Sequence, residues 1–325
     1  MHELHNGLPL VSISIPTYNQ IQYVREAITT AVEQDYPNIQ VVVGDDGSKD
    51  GTSRIVTEYA EMYPNRVTAI VGDHLGSTRN HNRVLNACKG KYIAFHAGDD
   101  VLLPGKITRQ VEWLEKDERR VICTHDVEVF DSGTGKTLYL YSDIAPLKFG
   151  RGAAALVRDG NTFAAVSVMA RTSALPSYGF DERLPFVGDW KLWIDCLASG
   201  GLFGYVEGVY ARYRRHTSNI SAQTRPTDRS FLSRQSDCLT TLALVEANYP
   251  HLVRYCRYRR ARLLAEIGDW YIARAEKPSA EVYYVSSIKE YFTVMWELLP
   301  QPIQSALLAR YAAIAALGER LSKIA

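Results

Sequence analysis

The stretch IQVVVGDDGSKDGT, residues 39–52, determines the class of fold. Its apolar, β-branched beginning predicts a strand over Ile39–Val43, and the acidic, glycine-rich turn after it leads into a helix from about Thr52. Asp50 or Thr52 is the expected N-cap of that helix. The stretch therefore predicts a buried strand, a polar turn and a helix in direct succession, which is the repeating element of α/β proteins.

The same order recurs on both sides of this stretch. Short apolar runs typical of strands alternate with amphipathic segments of about 10–15 residues that are typical of helices. Such alternation implies right-handed βαβ units and a mostly parallel sheet with helices on both faces. The expected strands are Leu10–Ile15, Val67–Val71 and Tyr92–Phe95, and the expected helices cover residues 21–33 and 77–88.

The pattern changes towards the end of the chain. From residue 223 onward glycine is rare, and Leu, Ala, Arg and Tyr recur at helical spacing. We therefore predict an α/β domain over residues 1–222 and a C-terminal helical extension over residues 223–325, broken near Pro278 and at Pro300 and Pro302. Before that boundary we expect a helix after Pro104, a strand over Val121–Phe130, a hairpin turn at residues 131–136, strands at Val166–Ala170 and Leu202–Tyr213, and a helix that begins near Asp189.

The composition is that of a soluble globular protein. Among 325 residues, 37 are Lys or Arg and 36 are Asp or Glu, so the net charge of +1 gives no general attraction to nucleic acid. Five scattered cysteines without a CxxC pair predict a reducing compartment. The pattern also predicts no signal peptide, and no apolar run reaches the about 18 residues of a membrane span. We expect a cytoplasmic protein, with contact to the inner face of a membrane as an option.

Two acidic pairs mark the expected sheet edge. Asp45-Asp46 and Asp99-Asp100 each follow a strand, and ligands of parallel sheets bind outside the carboxyl ends of the strands. Turn chemistry alone is the simpler explanation for each pair, since Asp and Gly favour turns. Two such turns on one edge, however, suit a hard divalent cation that shares its ligands with phosphate oxygens. Asp99 is expected on an exposed turn.

Two other nucleotide-binding motifs do not fit. The first strand is followed by Pro16-Thr17-Tyr18-Asn19 and not by GxGxxG, which argues against a dinucleotide site of the Rossmann type. Gly135-Lys136-Thr137 is similar to the end of a P-loop, but Phe130 stands where the first glycine of that loop belongs. These residues are therefore interpreted as a hairpin turn.

An ordered series of motifs over residues 9–222 resembles the family 2 glycosyltransferases with the GT-A fold. Each motif alone is weak, but the series in this order is specific. It consists of Pro16-Thr17-Tyr18-Asn19, Asp45-Asp46-Gly47-Ser48 with Asp50-Gly51-Thr52, Gly76 with Arg79-Asn80, Gly90-Lys91-Tyr92-Ile93, Gly98-Asp99-Asp100 with Pro104, Asp189-Trp190 with Leu192-Trp193, and Arg215-His216 with Asn219 and Ser221.

The resemblance implies transfer of a sugar from a nucleotide diphosphate donor with inversion at the anomeric carbon. UDP-sugar is the favoured donor, and Mn²⁺ or Mg²⁺ is the implied cofactor, held by Asp99 and Asp100. Ala97 stands where many members have a further acid, which weakens the expected metal site. The residues implied to bind the nucleotide are Pro16, Thr17, Tyr18, Asn19, Asp45, Asp46, Arg79, Gly98, Asp99 and His216.

Asp189 matches the general base of the family, which would take the proton of the acceptor hydroxyl. The family usually has an acid before this position, and here Gly188 stands there. The alternative role of Asp189 is an N-cap of its helix. Trp190 is interpreted either as a core residue or as a stacking surface on the acceptor side. Which of Asp45 and Asp46 accepts a hydrogen bond from the nucleobase stays open, and Arg79 and His216 have the alternative of purely structural roles.

Several functional alternatives follow from the same residues. The expected setting is the assembly of cell-surface polysaccharide or lipopolysaccharide, with a glycan or lipid-linked acceptor. A dTDP- or GDP-sugar transferase and a non-catalytic nucleotide-sugar binding protein are the alternatives. Five arginines between residues 254 and 262 suggest that the helical extension contacts an anionic membrane surface. The alternative is that these helices pack on each other or form a homo-oligomer.

Overall fold

The computed structural model of the chain describes residues 7–146, 148–219, 229–298 and 304–305. The strands are β1 (Val11–Thr17), β2 (Ile39–Asp45), β3 (Val67–Val71), β4 (Tyr92–Phe95), β5 (Val101–Leu102), β6 (Arg120–Asp131), β7 (Thr137–Leu140), β8 (Gly150–Arg151), β9 (Met169–Arg171) and β10 (Leu202–Arg215). The helices are α1 (Val24–Val32), α2 (Thr52–Met62), α3 (Ser77–Ala87), α4 (Lys106–Leu114), α5 (Ala154–Asp159), α6 (Gly188–Leu197), α7 (Arg229–Asn248), α8 (Val253–Ile272) and α9 (Lys277–Leu298).

The strands form a ten-stranded mixed sheet in the order β3-β2-β1-β4-β9-β6-β10-β5, with β7 on β6 and β8 on β10. The predicted α/β class is confirmed, and the predicted βαβ units are confirmed for β1 to β4, which run parallel to one another. The hairpin turn between β6 and β7 is confirmed as well, since these strands pair antiparallel across residues 131–136.

The sheet is not parallel throughout. β9 is antiparallel to both of its neighbours, β4 and β6, whereas β10 runs parallel to β6. β9 runs opposite to β4, and β6 runs opposite to β9, so β6 has the direction of β4 again. Because β10 is parallel to β6, it ends at the same edge of the sheet as β1, β2 and β4. The residues after β10 therefore join the residues after β1, β2 and β4 at one edge, where ligands of such sheets bind.

The core follows from the strand and helix patterns. Six of the seven residues of β1 are buried, and β2 is similar, as expected of central parallel strands covered on both faces. The buried side of α1 consists of Val24, Ala27, Ile28, Ala31 and Val32, which recur at the i, i+3 and i+4 spacing of one helix face.

The described chain divides into two compact units, residues 1–252 and residues 253–325. Helix α7 belongs to the first unit, and α8 and α9 belong to the second. The predicted domain boundary at residues 222 and 223 lies outside the described residues and stays a prediction. Pro278 lies in the first turn of α9, where a proline is tolerated, and Pro300 and Pro302 lie outside the described residues. Among the described helices, none combines the length and the apolar character needed to cross a membrane.

Candidate functional site

Asp45 is the last residue of β2 and is fully buried. Its Oδ1 accepts a hydrogen bond from Ser48 Oγ at 2.5 Å, and its Oδ2 accepts from Ser48 N at 3.1 Å and from Ser53 Oγ at 2.6 Å. These three donors belong to the turn after β2 and to the first turn of α2. The carboxylate of Asp45 therefore holds the strand end and the helix start together, and its lone pairs are largely occupied.

Asp46 holds a different segment, the loop between β3 and α3. Its Oδ1 accepts a hydrogen bond from Leu75 N at 2.8 Å, and its Oδ2 accepts from Gly76 N at 3.0 Å. Nδ1 of His74 lies 2.8 Å from the same Oδ2. The ring of His74 stacks on the exposed ring of Tyr18, with centroids 4.5 Å apart. Asp46 thus lies beneath a pair of aromatic rings that reaches solvent.

The loop after β4 passes very close to the residues at the end of β1. A Cβ at Gly98 would lie 2.4 Å from Gln20 Oε1 and 2.6 Å from Thr17 Oγ1, so only glycine fits there. The Gly98 N–H donates to the carbonyl of Pro16 at 3.3 Å. Asn19 has a φ of +50°. Its backbone N–H donates to Ser48 Oγ at 2.8 Å, which links the β1 turn to the β2 turn.

Asp99 lies in the loop after β4 and contacts the residues that follow β10. Its Oδ2 is 2.9 Å from His216 Nε2 and accepts a hydrogen bond from Asn219 Nδ2 at 3.2 Å. Nδ1 of His216 lies 2.8 Å from Ser218 Oγ. The expectation that Asp99 lies on an exposed turn is wrong: the residue is 9% exposed, because the segment after β10 covers it.

Asp100 is held by β10 itself. Its Oδ1 accepts the backbone N–H of Arg214 at 2.9 Å, while the Arg214 Nε donates to the Asp99 carbonyl at 2.7 Å. Arg214 also forms an ion pair with Glu26 of α1. Burial, and next the charge of Asp99, raise the pKa of the Asp100 carboxyl well above its ordinary value. Arg214 therefore links β10 to the turn that carries Asp99 and Asp100.

The residues around Asp99 fit a divalent cation only if a ligand supplies most of the coordination. The described residues contain no cluster of three His, Cys, Asp or Glu side chains that could hold a metal ion by themselves. Asp99 and Asp100 are adjacent in one turn, and the charge of Asp99 acts on the Asp100 carboxyl. Mg²⁺ is commonly bound by one or two carboxylates together with substrate phosphates, and this donor set matches that description.

Arg79 lies in the first turn of α3, and its Nε donates to Glu182 Oε2 at 2.9 Å. Both side chains are more than half exposed. The pair links α3 to the loop that precedes α6. A surface ion pair of this kind contributes little to stability, so the guanidinium can exchange Glu182 for an anionic ligand at small cost.

Asp189 lies in the first turn of α6 and is half-buried. Its Oδ1 accepts the N–H of Trp190 at 2.8 Å, and its Oδ2 accepts from Asn161 Nδ2 at 2.7 Å. The N-cap position belongs to Val187 and carries no side-chain cap, so Asp189 is not the N-cap residue. Burial raises the pKa of the Asp189 carboxyl, against the opposing effects of these two hydrogen bonds and of Arg234.

Tyr141 links Asp189 electrostatically to the end of β10. The pKa of Tyr141 is raised to about 12 by burial and by the Asp189 carboxylate, and the charge of Arg215 opposes this shift. Asp189 and Arg215 therefore both lie within electrostatic range of one tyrosine. Arg215 directly precedes His216, the partner of Asp99.

Trp190 lies in the core. Its ring is 2% exposed, and its Nε1 donates to the Leu156 carbonyl of α5 at 2.9 Å. This placement favours the core interpretation, since contact with an acceptor would require the ring to be uncovered. Trp190 instead fastens α5 to α6.

Three contacts at this edge involve residues that the sequence analysis did not select. His74 contacts Asp46, Asn161 contacts Asp189, and Arg83 Nη2 donates to the Asp45 carbonyl at 2.6 Å. None of them stands in a motif, and all three contacts join residues that are at least 28 positions apart in the sequence. Only the fold reveals them.

Comparison with known proteins identifies the family. The family model described as "Glycosyl transferase family 2" matches residues 12–175. An uncharacterised protein of Mycobacterium tuberculosis is 31% identical over 277 residues, which covers 83% of this chain and 75% of that protein. An uncharacterised glycosyltransferase of Rickettsia prowazekii is 30% identical over 235 residues and 70% of each chain.

Two solved structures share the fold. Residues 1–349 of Staphylococcus aureus TarS, in complex with UDP-GlcNAc, match with a TM-score of 0.58 at 16% identity, over 88% of this chain and 90% of that one. The mannosyltransferase PcManGT of Pyrobaculum calidifontis, in complex with GDP-Man and Mn²⁺, matches with a TM-score of 0.56 at 18% identity, over 96% of this chain and 82% of that one. The GT-A fold is confirmed, and by the match to its sequence model and to its relatives the chain belongs to glycosyl transferase family 2.

Proposed function

We propose that this glycosyltransferase is an inverting enzyme that uses a UDP-sugar and a divalent cation. The observation that carries the proposal is the contact between Asp99 and His216, which brings an acidic pair and a basic segment together at the ligand-binding edge. A carboxylate pair suits a cation, and the adjacent basic side chains suit a diphosphate. Asp189 provides a raised-pKa carboxylate near the same edge.

The proposed reaction is a single displacement at the anomeric carbon. The acceptor oxygen forms a bond to that carbon while the bond from the carbon to the diphosphate oxygen breaks. The acceptor proton passes to a carboxylate oxygen of Asp189, and the nucleoside diphosphate leaves with the electron pair of the broken bond. Attack opposite the leaving group inverts the configuration of the sugar.

Asp99 and Asp100 would hold the cation. When bound, a divalent cation acts as a Lewis acid that stabilises negative charge on the diphosphate. The side chains of the protein have their own part in this arrangement. His216 and Asn219 fix one oxygen of Asp99, and Arg214 fixes the turn that carries both aspartates.

For the nucleobase we propose Asp46 rather than Asp45. Both aspartates are buried, and the carboxylate of Asp45 accepts three hydrogen bonds from the turn after β2 and the first turn of α2. Asp46 lies beside the Tyr18–His74 ring pair, which offers a face for a base to stack on. A carboxylate is a pure acceptor and can take the N3–H of a uracil.

A GDP-sugar is the second candidate donor. The match to PcManGT, which binds GDP-Man, favours it, and a guanine also presents N–H donors to a carboxylate. A dTDP-sugar offers the same N3–H as uracil and stays an alternative. The test is a thermal-shift series with UDP, dTDP and GDP, each with and without Mn²⁺. We expect the largest stabilisation from UDP with Mn²⁺, and a larger effect of GDP would overturn the choice of donor.

Donor hydrolysis separates an enzyme from a binding protein of the same fold. We expect slow release of UDP from a UDP-sugar in the presence of Mn²⁺, because a transferase leaks its sugar to water when the acceptor is absent. A protein that binds the UDP-sugar tightly and releases no UDP would be a non-catalytic binding protein. The proposed setting of the enzyme is cytoplasmic assembly of a cell-surface polysaccharide or lipopolysaccharide, with a glycan or lipid-linked acceptor.

Helices α8 and α9 of the second unit carry features that bear on membrane contact and on self-association. Three of the arginines of α8 pair with glutamates: Arg257 with Glu297, Arg260 with Glu290 at 3.0 Å and Arg259 with Glu266 at 3.4 Å. Such pairing weakens the attraction to an anionic surface. On α9, a row of exposed apolar side chains recurs at helical spacing and comprises Val282, Val285, Ile288, Phe292 and Met295. This row favours association with a second copy of the chain over electrostatic contact with a membrane.

We therefore expect Ile288→Glu to reduce self-association of the full chain. An apolar helix row gains stability from burial, and a charge within it is costly to bury. Sedimentation equilibrium measures the effect, and Lys289→Glu, an exposed neighbour outside the row, is the control. If the unmodified protein is monomeric and instead binds anionic liposomes in a manner that falls with salt and depends on residues 224–325, the membrane interpretation is right.

A further inference from the structure

We infer that Asn161 is a positioning residue for Asp189, fixing the orientation in which its carboxylate receives the acceptor proton. The inference rests on the proposed role of Asp189 as general base. Asn161 Nδ2 donates to Asp189 Oδ2 at 2.7 Å, and the Trp190 N–H donates to Oδ1 at 2.8 Å. Each carboxylate oxygen thus has one donor, so rotation of the group is restrained and a lone pair on each oxygen stays available.

The side-chain amide of Asn161 has a defined orientation. Its Oδ1 accepts the backbone N–H of Phe163 at 3.3 Å, so the NH₂ end faces Asp189. The ring of Phe163 is buried and packs edge-on against Phe203 at 5.5 Å. The side-chain amide of Asn161 is therefore hydrogen-bonded to a residue, Phe163, whose ring is packed in the core.

The backbone that carries Asn161 is fixed relative to α6. Gly160 ends α5 with a φ of +90°, which favours glycine and turns the chain sharply before Asn161. Trp190, next to Asp189, donates from Nε1 to the Leu156 carbonyl of α5 at 2.9 Å. The donor Asn161 thus directly follows α5 and the acceptor Asp189 lies in α6, and a hydrogen bond joins these two helices.

The charge environment makes this hydrogen bond consequential. Burial raises the pKa of Asp189, and Asn161 opposes that shift by stabilising the ionised form. The other groups that face the carboxylate are Arg234 of α7, which also favours ionisation, and Tyr141, whose own pKa the carboxylate raises. Loss of Asn161 therefore leaves Asp189 less ionised at a given pH and restrained at Oδ1 but not at Oδ2.

The test compares Asn161→Ala and Asn161→Asp with the unmodified enzyme across pH. We expect kcat for donor turnover to fall about tenfold or more, since small errors in orientation are costly, while KM for the donor stays unchanged. The acidic limb of the pH profile moves to higher pH in Asn161→Ala. It moves further in Asn161→Asp, because a second carboxylate beside Asp189 disfavours its ionisation. Asn161→Asp keeps an acceptor for Phe163 N–H and serves if the alanine variant does not fold.

Asn82→Ala is the matched control. Asn82 also bridges a loop, through hydrogen bonds of 2.9 and 2.7 Å to the backbone of Phe180, but it does not contact Asp189. We expect this variant to lower the melting temperature without moving the acidic limb. If both Asn161 variants keep the limb of the unmodified enzyme while Asp189→Asn is inactive, the inference about Asn161 is wrong and the base assignment stands.

A measurement without turnover separates the two proposals. A ¹³C-carboxyl NMR titration, with Asp189→Asn used to assign the signal, reports the pKa of Asp189 directly. We expect that pKa to rise in Asn161→Ala even if no donor is turned over, in which case only the proposed function fails. An unchanged titration of Asp189 would overturn the inference whatever the activity.

Discussion

Asp189→Asn is expected to lower sugar transfer by about 100-fold or more, within the ~10²–10⁴-fold range typical of a lost general base. The asparagine keeps the shape of the side chain and can still accept the Trp190 N–H, so the start of α6 should persist. It cannot take up the acceptor proton. Binding of nucleotide with metal, measured by thermal shift, should stay near that of the unmodified protein, because Asp189 lies outside the turns that we propose bind the nucleotide.

The pH dependence of the unmodified enzyme gives a second measure of the same residue. A general base works in its ionised form, and burial raises the pKa of Asp189, the proposed base, above that of an ordinary aspartate. Activity is therefore present above the raised pKa and is lost as the pH falls through it. The acidic limb of the kcat/KM profile should lie above the ordinary range of aspartate.

Asp237→Asn is the control for Asp189→Asn. Asp237 is an aspartate whose pKa is also raised by burial, and its Oδ2 accepts the N–H of Phe186 at 2.8 Å in the loop before α6. The same chemical change there should leave transfer nearly intact. Turnover of Asp189→Asn that matches Asp237→Asn would mean that Asp189 serves the structure of α6 and a different group removes the proton.

Much of the fold could be predicted because the local signals agree with the tertiary arrangement. The apolar runs before Thr17 and Asp45 form central strands covered on both faces, so strand and burial signals coincide. The direction of the antiparallel strand β9 was harder to predict, since the described residues between β7 and β9 include only one short α-helix, α5, and no local signal sets the direction. The direction of a strand depends on its neighbours in the sheet, which periodicity does not encode.

The types of residue in the candidate site could be predicted from the sequence, but the contacts between them could not. The sequence indicated Asp99 and His216 as parts of one site, yet their hydrogen bond joins residues that are 117 positions apart. It left Asp45 and Asp46 equivalent. They differ in the structure because Asp45 faces the start of α2 whereas Asp46 faces the loop before α3. Successive residues beyond a strand end point to different neighbours, and the sequence does not state which neighbours are present.

The N-cap predictions show the same limit on a smaller scale. Helix α2 begins at Thr52, and its N-cap is Gly51 with a φ of +102°. Asp50 still acts at the helix start, since its Oδ1 accepts the Thr52 N–H at 3.0 Å. Neither predicted residue is the N-cap, because the turn uses a glycine with a positive φ there and places the carboxylate of Asp50 against the Thr52 N–H.

Asp99→Ala is expected to abolish the part of the UDP-induced stabilisation that depends on Mn²⁺ and to lower transfer by about 100-fold or more. In the proposed cation site Asp99 would contribute one of two carboxylates, and the described residues hold no cluster of three His, Cys, Asp or Glu side chains that could replace it. Stabilisation by UDP without metal should change little, because the Tyr18–His74 pair and Asp46 are untouched. Melting curves with UDP, with and without Mn²⁺, measure both effects.

Two variants show whether the effect comes from the metal or from a loosened fold. Asp126→Ala removes a carboxylate that likewise accepts hydrogen bonds, from Val127 N at 2.8 Å and Ser142 N at 3.0 Å, and it should leave the Mn²⁺ dependence intact. His216→Gln removes the imidazole beside Asp99 but leaves both aspartates in place, so UDP binding should still depend on Mn²⁺. Unchanged Mn²⁺ dependence in Asp99→Ala would place the cation elsewhere, and Asp99 would then serve only to hold His216 and Asn219 at the edge of the sheet.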